Sequence, residues 1–168
     1  MARQVNIVLL RGLLGNVYSR GMDTLGARLA KLPGVDYVTV EDYTSWRSIR
    51  DRIAKWKDPT VLIGHSYGSN AATVIAASLS PKVKIPLIVS VDPSQWFSIW
   101  LLQFGPSRIG ENVALAVNYY QQGFPIGNVK LSGSNVRNIP DNTTHIQIDD
   151  LPLVHDAAIA EVKKVIGA

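Results

Sequence analysis

Gly64, His65, Ser66, Tyr67 and Gly68 set a serine at the centre of a G-x-S-x-G pentapeptide, between the apolar run Val61 to Ile63 and a stretch rich in small residues, Ala71, Ala72, Ala76 and Ala77. A strand, a sharp turn and a helix in that order is the setting in which a serine hydroxyl is held out of the backbone to attack an electrophilic carbon. The two glycines have a physical reason, because so tight a turn brings the strand and helix backbones together and a Cβ at either place would collide. The same turn leaves the amide of Tyr67 facing the position where an oxyanion would form. A purely structural turn is the other reading of these five residues.

A serine nucleophile needs a base, and the base needs an acid to orient it. Behind a serine turn of this kind the acid and then the histidine follow along the chain. Asp92 ends the run "IPLIVSVD", which puts it where a strand delivers a side chain to the carboxyl edge of a sheet; otherwise it is a turn or cap residue ahead of Pro93. Three histidines compete for the role of base. His65 lies inside the turn, where its side chain should point away from that of Ser66 and pack the turn. His155 recurs with Ile159, Val162 and Ile166 on one helical face, which favours a core histidine. His145 follows the polar loop "NIPDNTT" and precedes the last helix, and it is favoured over His155. The second oxyanion donor should come from the loop after the first strand, "LLRGLLGN", with the backbone amide of Leu13 as the candidate beside that of Tyr67.

These side chains need elements to carry them. Val5 to Leu10 is a continuous apolar run, as expected of a strand buried on both faces. Asp23 is a candidate cap for a helix through about Lys31, ended by "LPG". Val35 to Val40 reads as a second strand. Thr44 and Ser45 are candidate caps for a helix whose face carries Trp46, Ile49, Ile53 and Trp56. Thr60 to Ile63, Ile85 to Val91 and Val113 to Tyr120 read as further strands, Asn70 to Ser80 and about Pro152 to Ile166 as further helices. Apolar strands alternating with helices predict a three-layer α/β/α sandwich around a mainly parallel sheet of five or six strands, formed by one domain over residues 1–168. The segment 94–107, "SQWFSIWLLQFGPS", breaks the pattern. Its Trp96, Phe97, Trp100, Leu101 and Phe104 could wall an acyl pocket or form a small lid, or else pack as ordinary core or as a homodimer contact.

Composition excludes several chemistries. There is no cysteine, so no disulfide, thiolate ligand or cysteine nucleophile is available, and no histidine pair stands at zinc-ligand spacing; no metal is expected. The glycines do not match the phosphate-cradling spacings. The net charge of +4 comes from scattered basic residues, and no nucleic-acid motif accompanies it. "MARQVNIVLL" lacks the features of a signal peptide and no apolar stretch is long enough to span a bilayer, so a cytoplasmic protein is expected, with a mature secreted form left open.

The serine turn at 64–68, Asp92-Pro93 and "THIQIDDLPLVHDAAIAEV" around His145 together resemble the α/β-hydrolase superfamily, in particular its small lid-poor members such as cutinases and compact bacterial lipases. "YSRGMD" at Tyr18 to Asp23 and "VNYYQ" at Val117 to Gln121 are similar to a bacterial group of small, largely uncharacterised hydrolases. The resemblance implies the compact α/β-hydrolase fold, no cofactor, and cleavage of a small-molecule or lipid ester or thioester through an acyl-enzyme. Two departures stand out. Many of these hydrolases carry His-Gly where this chain has Arg11-Gly12, which leaves a backbone donor intact. Many also take their acid after a later strand, which keeps Asp141, Asp149 and Asp150 as lower-ranked acids. Transfer of the acyl group to an acceptor other than water is an alternative, as are a phage or secreted esterase acting on envelope lipids and a non-catalytic α/β-hydrolase-like protein that binds a lipid or a partner.

Overall fold

Along the first strand, β1 (Val5–Arg11), successive side chains point to opposite sides, and both sides are apolar: Val5, Ile7 and Leu9 enter one buried cluster, Val8 and Leu10 another. The layers follow from this. On one face lie α2 (Gly21–Leu29), through Met22, Leu25 and Leu29, and α5 (Pro152–Ile166), through Val154, Ala158, Val162 and Ile166. On the other lie α3 (Trp46–Ile53), through Ile49 and Ile53, and α4 (Tyr67–Ser78), through Ala71, Ala72, Ile75 and Ala76. This computed structural model describes residues 4–94, 108–123, 127 and 129–168.

The remaining strands are β2 (Val35–Asp42), β3 (Thr60–His65), β4 (Leu87–Val91), β5 (Ala116–Gln121) and β6 (Val136–Asp141). They form one six-stranded sheet in the order β2-β1-β3-β4-β5-β6, with every neighbouring pair parallel. The chain therefore steps from β1 outward to β2 and returns to the other side of β1 for β3. That reversal opens a crevice at the carboxyl ends of β1 and β3, where open α/β sheets bind ligands.

The three-layer parallel architecture is the one expected from the alternating pattern, with local differences. Helix α2 starts at Gly21, so Asp23 lies in its first turn and bonds Arg11 instead of capping. Before α3 the chain makes a 3-10 turn over Tyr43–Ser45, and neither Thr44 nor Ser45 supplies a side-chain cap. A short helix, α1 (Gly15–Tyr18), follows the loop after β1. Ile85 and Val113 form an isolated bridge ahead of β4 and β5 instead of extending them. Strand β6 is the one that apolar periodicity does not reveal: VRNIPD is polar, half exposed and carries Pro140, which a strand tolerates at a sheet edge. Trp96, Phe97, Trp100, Leu101 and Phe104 of the 94–107 segment lie outside the described residues. Among the described residues no helix is long and apolar enough to cross a membrane.

Candidate active site

The turn between β3 and α4 is tight enough to explain its glycines atom by atom. A Cβ on Gly64 would lie 2.4 Å from the carbonyl carbon of Gly68, and one on Gly68 would lie 2.0 Å from the oxygen of Leu10. Neither position has room for a side chain. Ser66 between them sits at φ 56°, ψ −125°, a region L-residues avoid at a cost of about 1–3 kcal/mol. The surrounding structure holds it there: its N–H donates to Val91 O at 2.9 Å, and the hydroxyl of Ser69 accepts from Val91 N at 3.0 Å, tying the turn to β4. The loop after β1 closes on the serine, since a Cβ on Gly12 would come within 2.7 Å of that of Ser66.

Ser66, Asp92 and His145 meet at this turn. Nε2 of His145 lies 2.9 Å from Ser66 Oγ, and its Nδ1 lies 2.6 Å from Oδ2 of Asp92. An ionised carboxylate only accepts, so Nδ1 carries the proton and Nε2 is left to accept from the serine hydroxyl. Asp92 directly follows β4, at φ 44°, with its N–H on Tyr119 O at 2.7 Å; its Oδ1 accepts the N–H of Gln121 at 3.1 Å. Gly127 packs so close that a Cβ there would lie 2.3 Å from Oδ2. The carboxylate is buried, whereas the His145 side chain keeps 15% of its surface exposed. The loop that carries His145 starts from Asp141 at the end of β6, whose Oδ1 accepts the N–H of Thr143 at 2.7 Å, and it ends in a turn in which Ile148 N bonds Thr144 O.

A cleft of about 630 Å³ opens over the serine at the carboxyl edge of the sheet. Leu13, Leu14, Tyr18 and Ile146 line it and are exposed, together with polar groups that include Gln121, Gln122, Asn142 and Thr143. Leu14, beside Leu13 in this lining, holds a left-handed backbone at φ 51°. The N–H of Gly12 is committed to Ser19 Oγ at 3.1 Å, which leaves the Leu13 amide as the next donor along this loop. Tyr67 opens α4, and amides of a first helical turn are directed out of the helix end, not at an intrahelical carbonyl. Arg11 turns away and pairs with Asp23.

The other two histidines stand apart from the serine. His155 donates Nε2–H to the carbonyl oxygen of Asp149 at 2.6 Å within the layer of α5, and burial lowers its pKa. His65 is buried, as its place in the turn implies, and burial, reinforced by the neighbouring His145, lowers its pKa to about 3. It lies in a cluster that sequence reasoning did not anticipate: Nδ1 is 2.8 Å from Ser19 Oγ and 3.8 Å from Oδ2 of Asp149, and Nε2 is 2.8 Å from the backbone oxygen of His145. Asp149 is itself wholly buried. Its Oδ2 accepts the N–H of Gly21 at 3.1 Å, while among the described residues its Oδ1 has no hydrogen-bond partner. Burial and then the charge of Asp150 raise its pKa to about 7 against that bond. Positions 19, 65 and 149 have no spacing that would pair them; the one signal was the likeness noted over Tyr18 to Asp23. Among the described residues no group of three or more His, Cys, Asp or Glu could hold a metal ion.

Solved structures share this architecture. A candidate YdeN-like hydrolase from Pectobacterium atrosepticum superposes with a TM-score of 0.61 over 97% of this chain and 93% of its own, at 15% identity. A candidate hydrolase of the α/β superfamily from Xanthomonas campestris gives 0.55 over 98% and 99%, at 14% identity. No protein-family model matches the chain, and a comparison with curated proteins finds no match. The chain thus has the α/β-hydrolase fold, recognisable in three dimensions at an identity where sequence carries little of it.

Proposed function

We propose that this chain is a serine hydrolase that cleaves a carboxylic ester or thioester through an acyl-enzyme. One observation carries the reading: an unbroken line of hydrogen bonds runs from buried Asp92 through His145 to a serine held in strained backbone at the floor of a cleft. In this reading Ser66 Oγ attacks the acyl carbon while its proton passes to His145 Nε2, and Asp92 holds the resulting imidazolium. The Leu13 and Tyr67 amides receive the negative charge on the former carbonyl oxygen. Collapse of the tetrahedral species breaks the bond to the alcohol or thiol, which leaves with the proton from Nε2. Water then gives up a proton to Nε2 as it attacks the acyl carbon, and the second tetrahedral species collapses by breaking the bond to Ser66 Oγ, which takes the proton from Nε2 as the acid leaves.

The exposed apolar lining from Leu13, Leu14, Tyr18 and Ile146 supports an acyl group of some length, from a small molecule or a lipid, over acetate. Intact-mass analysis after incubation with a fluorophosphonate tests the reading. A single adduct on the wild type and none on Ser66→Ala is the expected result, followed by faster cleavage of medium-chain esters than of acetate. Folded wild type that takes no adduct would instead favour a protein that binds lipid or a partner without chemistry.

A further inference from the structure

We infer that His65 is a positioning residue for the chemistry at Ser66: it holds the backbone carbonyl of His145, in a tautomer set by a one-way chain of hydrogen bonds that starts at Gly12 and passes through Ser19. This inference rests on the serine-hydrolase reading above.

The direction of the chain follows from what each group can give. The carbonyl of His145 only accepts, so at 2.8 Å His65 Nε2 must bear a proton. The ring is neutral, since burial pushes its pKa down to about 3, and Nδ1 is therefore bare. Ser19 Oγ, 2.8 Å away, donates to it. Having spent its proton, the Ser19 oxygen accepts the N–H of Gly12 at 3.1 Å. Each link forces the next. The opposite tautomer would bring a bare Nε2 against the lone pairs of the His145 oxygen, and a bond donated by Nδ1–H to Ser19 would not relieve that contact. Ser19 and His65 are both 1% exposed, so water does not substitute for either.

The chain also has a purpose beyond satisfying buried groups, because it joins the two loops whose separation defines the site. Gly12 precedes the candidate oxyanion donor Leu13, and its missing Cβ leaves room for Ser66; His145 is the candidate base. His65 bridges them from behind the serine, with its ring centroid 5.0 Å from that of His145. Asp149 does not make this a second nucleophilic set. Its Oδ2 lies on the same ring nitrogen as Ser19, at 3.8 Å, beyond hydrogen-bond distance, while the other nitrogen is spent on a carbonyl.

The test compares the fluorophosphonate labelling rate of Ser66 in the wild type, His65→Phe and His65→Gln, well below each melting midpoint. Phenylalanine keeps the ring but removes both nitrogens, and labelling should slow by about 10²-fold, the cost of displacing a reacting group by an ångström. Glutamine can offer an N–H near the place of Nε2 and should recover most of the rate. The His145 Nδ1–H resonance, followed by proton NMR, should shift in His65→Phe and return in His65→Gln. Folded His65→Phe that labels at the wild-type rate overturns the inference, as does an equal melting loss in both variants with unchanged labelling, which would make His65 merely structural. If His65→Phe does not fold, Ser19→Ala replaces it: labelling should slow about fivefold, the equivalent of one neutral hydrogen bond, and an unchanged rate is fatal. If the wild type itself takes no label, the hydrolase reading has failed and the resonance alone decides, with no shift in His65→Phe overturning the positioning role.

Discussion

The molecule holds two Ser, His, Asp sets side by side, and they are arranged differently. Around the cleft, Ser66 and Asp92 take opposite nitrogens of His145, so a proton can leave the serine while the carboxylate steadies the ring. Behind it, Ser19 and Asp149 face the same nitrogen of His65, and the other nitrogen is tied to a backbone oxygen. The front histidine reaches the cleft; the rear one is sealed and holds its neutral form. Residue inventory therefore does not define a nucleophilic site. What matters is which ring nitrogen meets which partner, and whether a reactant can reach the oxygen between them.

The largest way to break this contrast is to exchange the histidines' fates. His145→Ala should lower Ser66 labelling by about 10⁶-fold, as loss of a triad base does elsewhere, whereas His155→Ala should stay within about threefold and cost only thermal stability. The reverse result would move the base to the last helix. Next come the carboxylates. Asp92→Asn should reduce labelling by about 10⁴-fold by stabilising the wrong tautomer of His145, while Asp149→Asn should leave it within about tenfold. Full activity in Asp92→Asn would remove the acid from its place.

The smallest effect is on stability, and it sharpens the description of the rear set. Burial raises the Asp149 carboxyl from 3.8 to about 7, so between those values the native protein holds a proton that the unfolded chain lacks, and stability falls as pH rises. Burial lowers His65 from 6.5 to about 3, so in that interval the unfolded chain holds the extra proton, and stability rises with pH. Between about pH 4 and 6.5 the two slopes oppose each other and largely cancel. Urea midpoints measured across that range should climb more steeply with pH in Asp149→Asn than in the wild type, and fall relative to the wild type in His65→Gln. Profiles parallel to the wild type in both would mean that neither group is perturbed.

Much of this arrangement was legible in the sequence, for reasons that differ by residue. Ser66 is marked by glycines that the turn requires, Asp92 by its place at the end of an apolar strand, and His145 by its position in a late polar loop; each is a local signal, and the topology brings the three together. Strands β1, β3, β4 and β5 were visible as apolar runs because both of their faces are buried, and edge strand β2 through its apolar Val35, Tyr37, Val38 and Val40. Edge strand β6 was not, because VRNIPD is polar and carries Pro140, so it shows neither an apolar run nor an alternating pattern. The rear cluster was not visible either. Buried polar groups are paired by the folded chain across large separations: Ser19 lies between α1 and α2, His65 ends β3 and Asp149 lies in a 3-10 turn before α5.

The sheet distributes the site unequally. Ser66 follows β3, with two strands beyond it on one side and three on the other, whereas the loop of His145 follows β6, which pairs with β5 alone. Hydrogen exchange reaches such a margin through openings that cost far less than global unfolding. On the serine-hydrolase reading, an opening that frees β6 would displace His145 while the turn of Ser66 stays held at the centre of the sheet. Labelling of Ser66 should then be lost on heating before the centre of the sheet unfolds, with the edge strand as the weaker support.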